Sequence, residues 1–466
     1  MREPDLATRA AAAPQPSEFQ FRGYGTDENT GLVELYYAYD NGLTFTEKIA
    51  FGRPLPSPSA APGRAFHACL RSLSIAAGVS YYKAFMPSRI CLGNTDLSKS
   101  ERRFFQDLYV GGLGEFGYRN NIDVAKRVDF LSANPSTPAP GESATPIGAR
   151  GECELPRKSA VLIGGGKDSL ASVEILRAGR EPMALFAVNP KKPILDCIRA
   201  SGLLAVTVDR ALDPRLFELN ARGALNGHVP ITAILTFIAL AGAFVFGYDT
   251  VVLSNERSAN EGNVVVAGTV INHQYSKSLA FESALRDHIA ASLSADLDYV
   301  SLLRPLSELH ITQLMARFDR YDEVFTSCNK SFRIRPSEAP PRWCLNCPKC
   351  RFTFLALANA VPRGRLDRIF GANMLDDGTQ VGGYEELVGL SGHKPWECVG
   401  EIGESATALL RLAARPEWSG SAVISSLAPR LRQVLPDPDE VWKRYMTPSA
   451  EHFLPDRYAR LLHAYL

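Results

Sequence analysis

The sequence lacks an excess of charge of either sign. Its 51 lysine and arginine residues nearly balance its 50 aspartate and glutamate residues, which gives a formal net charge of +1. Proteins that bind long nucleic-acid duplexes usually present a basic surface, and this balance provides none at the level of the whole chain. A nucleic acid is therefore not the expected partner.

A continuous apolar segment of the kind found in secretory signal peptides is missing from residues 1–18, which contain acidic residues and prolines instead. We expect a disordered tail there. Cysteines are few, nine in 466 residues, and three of them lie together in CLNCPKC. This distribution favours reduced thiols that bind a metal over a framework of disulfides, and it predicts a cytoplasmic protein.

One apolar segment is long enough to raise the question of a membrane span. Val229 to Phe246 has no charged residue in 18 positions, which reaches the minimum for a transmembrane helix. However, the segment lies between two predicted strands, AVTVD and TVVLSN, and a helix that connects two strands of one sheet cannot cross a bilayer. Pro230 suits the first position of a helix. We therefore predict a buried crossover helix and no membrane partner.

The length of the chain predicts two or three folding units. Near the N-terminus, LVELYYAYD and LTFTEKIAF predict a hairpin with its turn at Asp40-Asn41-Gly42. Farther along, short apolar strands alternate with helices, which is typical of an α/β fold with a doubly wound parallel sheet. The predicted units are a tail (1–18), an N-terminal α+β domain (19–131), a Pro/Ser/Ala-rich linker (132–157), an α/β domain (158–327), a cysteine knuckle (328–351) and a helical C-terminal region (352–466).

The segment GGGKDS lies between the predicted strand SAVLIG and a predicted helix. A glycine turn there brings several backbone N–H groups and the positive end of a helix dipole to one point, which suits a phosphate group. It is not a Walker A loop, because Asp168 separates Lys167 from Ser169 and Val161 occupies the place of the first glycine. The contiguous glycines also differ from a dinucleotide-binding fingerprint.

GGGKDS resembles the pyrophosphate loop, SGGxDS, of the ATP pyrophosphatases. That resemblance implies an adenine nucleotide α-hydrolase-like (HUP) fold that cleaves ATP between its α- and β-phosphates, with Lys167 and Asp168 in catalysis. It implies that ATP is bound by Gly164, Gly165, Gly166, Lys167, Asp168 and Ser169. Gly164 departs from the family, which usually has a serine there, so one hydroxyl donor is missing. A glycine turn without a ligand is the alternative.

Four cysteines have a spacing that suits zinc. Cys344, Cys347 and Cys350 form CxxCxxC, and Cys328 precedes them by 15 intervening residues. Thiolates at such spacing converge on tetrahedral zinc, and a closed four-sulfur site is structural. The order resembles the zinc knuckle of the 7-cyano-7-deazaguanine synthases. Unmetallated cysteines and an iron–sulfur cluster are the alternatives.

Three further segments carry dense polar groups. SNERSANEGN follows the strand TVVLSN, so it lies at the edge where sheets of this kind bind ligands. The next segment, HQYSKSLAFE, suits a helix start that could hold an anion, although ordinary capping would explain it equally well. The candidate substrate-binding residues in these two segments are Glu256, Arg257, Asn260, Glu261, Asn263, Tyr275, Ser276 and Lys277. In GHKPWECVGEIGE, the candidates for proton transfer are His393, Glu397 and Cys398.

In this order, and with AAGVSYYKA before them, these motifs resemble the UDP-N-acetylmuramoyl-L-alanyl-L-glutamate epimerase family. The resemblance implies inversion of the terminal L-glutamate of UDP-MurNAc-L-Ala-L-Glu for peptidoglycan synthesis, with ATP and Mg²⁺ as cofactors and AMP and pyrophosphate as products. It also implies a small-molecule substrate. The alternatives are another adenylate-forming enzyme of the pyrophosphate-loop class, which would amidate a carboxylate, form a nitrile or thiolate tRNA, and a nucleotide sensor without turnover.

Overall fold

The computed structural model describes residues 15–93, 95, 97–130, 151–332 and 341–466. Most of the predicted tail (1–18) and of the predicted linker (132–157) lies outside these residues, so neither prediction is tested by the fold.

The N-terminal region contains an antiparallel hairpin, as predicted, and its turn is closed by a bond from the Gly42 N–H to the Tyr39 carbonyl, 3.1 Å long. An additional strand precedes the hairpin, and a long helix packs on it. Alternate residues of the first strand, Phe19 and Phe21, are buried, as expected for a strand with one covered face. The elements are β1 (Glu18–Asp27), β2 (Leu32–Tyr39), β3 (Thr44–Ala50), α1 (Ala61–Tyr82), β4 (Arg89–Cys91), α2 (Lys99–Gly112) and α3 (Gly114–Asn120).

The middle of the chain alternates strands and helices, again as predicted. Its elements are β5 (Ser159–Leu162), α4 (Lys167–Ala178), β6 (Met183–Val188), α5 (Lys192–Ser201), β7 (Ala205–Ala211), α6 (Pro214–Ala221), α7 (Ile231–Phe246), β8 (Thr250–Leu253), β9 (Val264–Val266), β10 (Thr269–Ile271), α8 (Leu279–Ser292), β11 (Asp298–Ser301) and α9 (Glu308–Met315). The short β9–β10 hairpin stands apart from the main sheet.

The predicted crossover helix is α7, which begins directly after Pro230 and connects two strands of the main sheet. It packs against α1 and β8, and most of its side chains are buried. Across the described ranges of the chain, no helix is both long and apolar enough to span a membrane.

Nine strands form one sheet in the order β11-β8-β5-β6-β7-β3-β2-β1-β4. Pairing is parallel from β11 to β7 and antiparallel from β7 to β1. The α/β class is therefore correct, and the sheet is mixed rather than parallel throughout. The predicted N-terminal and α/β domains share this sheet through β3 and β7, where Glu47 and Arg210 form a buried ion pair of 2.7 Å.

The two faces of the sheet cover different apolar cores. Because side chains alternate along a strand, Ala160 of β5 faces the core that it shares with the N-terminal region, and Val161 faces the core that it shares with the C-terminal helices.

The C-terminal region of the chain is mostly helical, as predicted. They form α10 (Pro348–Ala358), α11 (Arg363–Phe370), α12 (Val381–Leu387), α13 (Ile402–Ala413), α14 (Ala422–Val434), α15 (Pro438–Met446) and α16 (Asp456–Tyr465).

Candidate active site

The candidate site lies where the chain leaves β5 and β8. These strands are parallel neighbours, although β6 and β7 separate them in sequence. The connection after β5 leads to β6 on one side, and β8 lies on the other side. A crevice opens at such a switch point, outside the carboxyl ends of the strands. The glycine turn follows β5 and SNERSANEGN follows β8, so the fold brings the two segments to this crevice.

The glycine turn has a backbone shape that favours glycine at one position. Gly165 has a φ of +75°, and a Cβ there would lie 3.3–3.4 Å from atoms of Ile194. Its carbonyl accepts a hydrogen bond of 3.0 Å from the Thr326 N–H. By contrast, a Cβ on Gly164 would meet nothing within 4 Å. The turn is therefore packed against Ile194 at Gly165, whereas space remains beside Gly164.

Helix α4 begins in this turn with Gly166 as its N-cap residue, and among the described residues no side chain caps it. The first N–H groups of a helix have no partner within the helix, so an uncapped N-terminus can accept an anion. The Ser169 hydroxyl donates to the Gly166 carbonyl at 3.0 Å, which stiffens the turn from within.

Carboxylates surround a lysine at the start of α4. The Lys167 ammonium is buried and contacts both Asp168 and Glu308, and the latter lies in the first turn of α9. Glu256, from the segment after β8, is 1% exposed, and its Oε1 has no hydrogen-bond partner in the part of the chain that the structure describes. We call Asp168, Glu256 and Glu308 the carboxylate cluster. The Asp168 side chain is 28% exposed, so the cluster can be reached from the crevice.

Burial and mutual repulsion disfavour the ionised forms of these carboxylates. Burial and the neighbouring Asp168 raise the pKa of Glu308 to about 8. Burial also raises the pKa of Glu256, and Asp168 adds to the effect. Burial alone would raise the pKa of Asp168, but Lys167 holds it below its ordinary value. A further cation would therefore be bound favourably here.

A thiol, an imidazole and a carboxylate form a second group, which we call the thiol cluster. The thiol is that of Cys398, whose pKa is affected by the imidazole of His273, and the His273 Nδ1 contacts Glu115 Oε2. Glu115 lies in α3 and is also bound by the Arg119 Nε at 2.5 Å. The His228 ring lies against that of His273, tilted by 44°, with a ring-centre distance of 4.2 Å.

Charge separation is favoured within the thiol cluster. Burial alone would raise the pKa of the Cys398 thiol, but the charges of Lys277 and His273 hold it well below its ordinary range. Burial would lower the pKa of His273, yet Cys398 and Glu115 raise it to about 9. Near neutral pH, His273 is therefore an imidazolium, and its charge favours the ionised form of the Cys398 thiol. Burial, with the charge of His273, lowers the pKa of His228 to about 4, which leaves that ring neutral.

Comparison with known proteins assigns the family. The model described as the MurL N-terminal domain matches residues 10–302, and the model described as the MurL C-terminal domain matches residues 324–440. The chain belongs to the MurL family.

Relatives of the MurL family named UDP-N-acetyl-alpha-D-muramoyl-L-alanyl-L-glutamate epimerase are similar over almost their whole length. The protein from Xanthomonas oryzae pv. oryzae is 40% identical over 443 residues, which cover 95% of this chain and 96% of the relative. The proteins from Micromonospora sp. and Salinispora tropica are each 42% identical over 453 residues, which cover 95% of this chain and 97% and 95% of the relatives.

Lys277 connects the two clusters of this MurL family member. Burial would lower the pKa of its ammonium, but the charges of Cys398 and of the carboxylate cluster raise it. Arg304 fixes the backbone here. Its guanidinium donates to the Glu256 carbonyl at 2.6 Å and to the Lys277 carbonyl at 2.5 Å, and it forms a buried ion pair with Glu282 at 2.8 Å.

Several candidate substrate-binding residues join loops to one another. The Arg257 guanidinium donates to carbonyls at the C-terminal end of α15, such as that of Thr447 at 3.2 Å. Asn260 accepts from the N–H of Leu279 at 2.8 Å, at the start of α8.

The other candidates differ in their surroundings. Glu261 forms an ion pair with Lys394 at 2.9 Å, and the Asn263 amide donates to the Pro395 carbonyl at 2.7 Å. The segment after β8 thus holds the loop that carries Cys398. Tyr275 lies against Gly111 of α2, and Ser276 is buried.

The three candidates for proton transfer lie in different environments. Cys398 belongs to the thiol cluster. His393 is exposed and its ring lies 5.5 Å from that of Trp396. Glu397 accepts from the Lys349 N–H at 3.2 Å, and burial raises its pKa.

The four clustered cysteines are brought together as their spacing predicts. Their sulfur atoms all lie within 4.8 Å of one another, so the group could hold a metal ion. Cys347 also caps α10, where its sulfur accepts from the Cys350 N–H at 3.4 Å. Lys349 lies between these two ligands, and its charge acts on both Asp168 and Cys398.

Sequence reasoning did not identify Glu115, His273, Glu308 or Lys349 as site residues. Glu308 had a usable signal, because it follows β11, another parallel strand that ends at the same edge. His273 opens one of the quoted polar segments, but its pairing with Glu115, 158 positions away, depends on how α3 packs.

Proposed function

We propose that this chain is an ATP-dependent epimerase that converts UDP-MurNAc-L-Ala-L-Glu to UDP-MurNAc-L-Ala-D-Glu in peptidoglycan synthesis. The relatives that carry this enzyme name cover 95% of the chain at 40–42% identity. The observation that supports the proposal is the uncapped N-terminus of α4, where Lys167 contacts the carboxylates of Asp168 and Glu308. Activation of a carboxylate by ATP needs such a site for phosphate groups and charge.

Activation is required because the glutamate α-proton lies beside a carboxylate. Removing that proton would place a second negative charge next to the first. Adenylation of the α-carboxylate removes the first charge, and the enolate that forms next is stabilised by the carbonyl. Water then releases AMP. Only the α-carboxylate adjoins the stereocentre, so it is the group that must react with ATP.

ATP would be held by the glycine turn and the first turn of α4. The uncapped helix N-terminus and the closely packed Gly165 fit an approaching phosphate group. Numbered along the chain, the five parallel strands have the order 3-2-1-4-5, which supports the adenine nucleotide α-hydrolase-like fold. Lys167 is placed to neutralise phosphate charge, and Ser169 to keep the turn in shape.

Mg²⁺ fits the carboxylate cluster, with Asp168 and Glu256 as its ligands. The buried Oε1 of Glu256 lacks a partner within the described residues, and carboxylate oxygens are the ligands that Mg²⁺ prefers. When bound, the ion would neutralise charge on the phosphates. Lys167, which contacts Asp168 and Glu308, would add its positive charge to that of the ion.

Zinc fits the four cysteines, and we assign it a structural role. Four sulfur ligands close the coordination sphere and leave no position for substrate. All nine cysteines are free thiols, which supports a cytoplasmic location.

We assign proton transfer to the loop that carries His393, Glu397 and Cys398, and the lowered pKa of Cys398 favours that residue. The substrate dipeptide would extend along the two polar segments after β8 and before α8, which contain Glu256 and Lys277.

Incubation of the protein with UDP-MurNAc-L-Ala-L-Glu, ATP and Mg²⁺ in deuterated water tests the proposal. We expect AMP and a D-glutamate product that carries one deuterium at Cα, both dependent on ATP. Formation of AMP without inversion would contradict the second step, and the absence of AMP with this substrate would contradict the assignment as a whole. The exposed-site variant Asp107→Ala serves as the control for Asp168→Ala in this assay.

A further inference from the structure

We propose that Lys83 and Asn226 form a second anion site, which binds the diphosphate of the UDP-linked substrate. The inference rests on the proposed function and deepens it, because it assigns a site to the end of the substrate that lies farthest from the reacting glutamate. The motif AAGVSYYKA, which contributes no residue to the carboxylate cluster or to the thiol cluster, contains this lysine.

Lys83 is a buried cation whose hydrogen-bond partner is neutral. The residue is 4% exposed, and its Nζ donates to the Asn226 Oδ1 at 2.9 Å. Within the described ranges of the chain, no carboxylate forms an ion pair with it, and burial lowers its pKa to about 8. Burying a charge without a counter-ion is unfavourable, so an anionic ligand would be bound favourably beside this ammonium.

A ligand can approach Lys83 from the side of Asn226, because Asn226 and Gly227 are exposed. The Asn226 Oδ1 also accepts from the Gly227 N–H at 2.9 Å, so its amide NH₂ group is the one left to donate to a ligand. A Cβ on Gly227 would lie 3.1 Å from the ring of Phe116 in α3, which shows how closely this segment packs on that helix. The amide is therefore held in place at the surface.

This anion site lies at the same edge of the sheet as the glycine turn. The Tyr81 hydroxyl accepts from the Asp213 N–H at 3.1 Å, and Asp213 follows the end of β7 by two residues. The Leu225 N–H donates to the Ala84 carbonyl at 3.1 Å. The end of α1 and the segment before α7 are thus both placed at the carboxyl end of a parallel strand, where sheets of this kind bind ligands.

The two anion sites are separated by the thickness of the sheet. Helices α1 and α7 cover the face of the N-terminal core, whereas α4 belongs to the other core. Helices on opposite faces of a sheet lie about 20 Å apart, because each with its side chains is about 10 Å wide. The two carboxylates of one glutamate are too close together to reach both sites. The diphosphate lies beyond two residues, which alone span about 7 Å, and beyond the sugar, so the separation favours the diphosphate.

The beginning of α7 adds positive potential beside this site. Its N-cap residue is Pro230, four positions after Asn226, and its first turn has no acidic residue. Among the described residues, no side chain caps this helix of 16 residues, so its N-terminus carries partial positive charge. The carboxylate of Glu115 in α3 is compensated by Arg119 at 2.5 Å and by His273.

Binding of UDP in the absence of ATP, measured by calorimetry, tests the inference. We expect Lys83→Met to weaken this binding about 30-fold, because a charge-assisted hydrogen bond is lost. Asn226→Asp, at an exposed position, should weaken it similarly, since its carboxylate would pair with Lys83 and repel the phosphates. Lys126→Met, whose side chain is 83% exposed, is the control and should bind as wild type.

Two results of these binding measurements would overturn the inference. They are equal UDP binding by wild type and Lys83→Met, and no UDP binding by wild type. Thermal melting is a further readout, because Lys83→Met removes a buried charge and should melt no lower than wild type. A lower melting temperature would show that the ammonium stabilises the fold, and would also overturn the inference.

Kinetics with two substrates identify the anion that Lys83 binds. In Lys83→Met, we expect the KM for UDP-MurNAc-L-Ala-L-Glu to rise about 30-fold, while kcat and the KM for ATP stay within about threefold. The KM for MurNAc-L-Ala-L-Glu, which lacks UDP, should not change. An equal rise for both substrates would identify the γ-carboxylate, and a rise for ATP would identify the nucleotide; either would overturn the inference. UDP binding that depends on Lys83, without AMP formation, would instead overturn the proposed function.

Discussion

The carboxylate cluster and the thiol cluster compensate charge in opposite ways. In the first cluster Lys167 contacts two of the three carboxylates, Asp168 and Glu308, and burial together with the charge of Asp168 raises the pKa of Glu256 and Glu308. In the second, each ionised group has a direct partner of opposite sign. The first arrangement is incomplete without a further cation, whereas the second is already prepared for proton transfer. The two steps of the proposed reaction can therefore be disrupted independently.

Breaking the carboxylate cluster should have the largest effect. Asp168→Ala removes a contact of Lys167 and a proposed Mg²⁺ ligand, so AMP formation should fall about 1000-fold while the protein stays folded. Measuring AMP release and the circular dichroism spectrum together checks both parts. Sustained AMP production by the variant would show that ATP is activated elsewhere.

Removing one of the four clustered cysteines tests the proposed zinc site. Lys349 lies between two of these cysteines in sequence, and its charge acts on Asp168 and Cys398. Cys328→Ser should lower the bound zinc from about one ion per chain to less than about 0.2, because three thiolates leave the tetrahedral site open. Elemental analysis of the purified protein measures the metal, and Cys91→Ser is the control. Unchanged zinc occupancy would remove Cys328 from the ligand set.

His273 of the thiol cluster should make the free energy of unfolding depend on pH. The pKa of His273 is raised from 6.5 to about 9 in the folded protein, so folding stabilises its protonated form. That contribution is fully present below about pH 6.5 and is lost as the pH rises through 9; it amounts to about 3 kcal/mol. Chemical denaturation of wild type and His273→Gln from pH 6 to 10 measures it. Equal pH dependence in the two proteins would contradict the assignment.

The smallest effect is expected from the shape of the glycine turn. Gly165→Ala places a Cβ at a φ of +75° and 3.3–3.4 Å from Ile194, which costs about 1 to 2 kcal/mol and should raise the KM for ATP about tenfold. Gly164→Ala is the matched control, because its Cβ would meet nothing within 4 Å. ATP titrations of AMP formation compare the two. Equal KM values for ATP in the two variants would show that the turn accommodates a Cβ at Gly165 without loss of ATP binding.

The sequence predicts well what is local. The glycine turn, the alternating strands and α7 follow from neighbouring residues, and CxxCxxC brings three sulfurs together by its spacing alone. The contact of Lys167 with Glu308 spans 141 positions, and it depends on α9 lying beside α4. The pairing of β3 with β7 likewise cannot be predicted from the sequence, because neither strand has a residue pattern that specifies its neighbour in the sheet. Of the proton-transfer candidates, the chemistry of Cys398 is defined by residues from other parts of the chain.

The antiparallel pairing of β3 with β7 has a consequence for the shortest stable form of the protein. A fragment that began at residue 151 would leave one edge of β7 without its partner and would uncover the face of α7 that packs on α1. It would also leave Arg210 without Glu47, its buried counter-ion. An unpaired edge beside an apolar face is a template for aggregation. The N-terminal residues thus protect the parallel strands from aggregation, and expression of residues 151–466 as a stable protein should require their presence, on the same chain or as a separate piece.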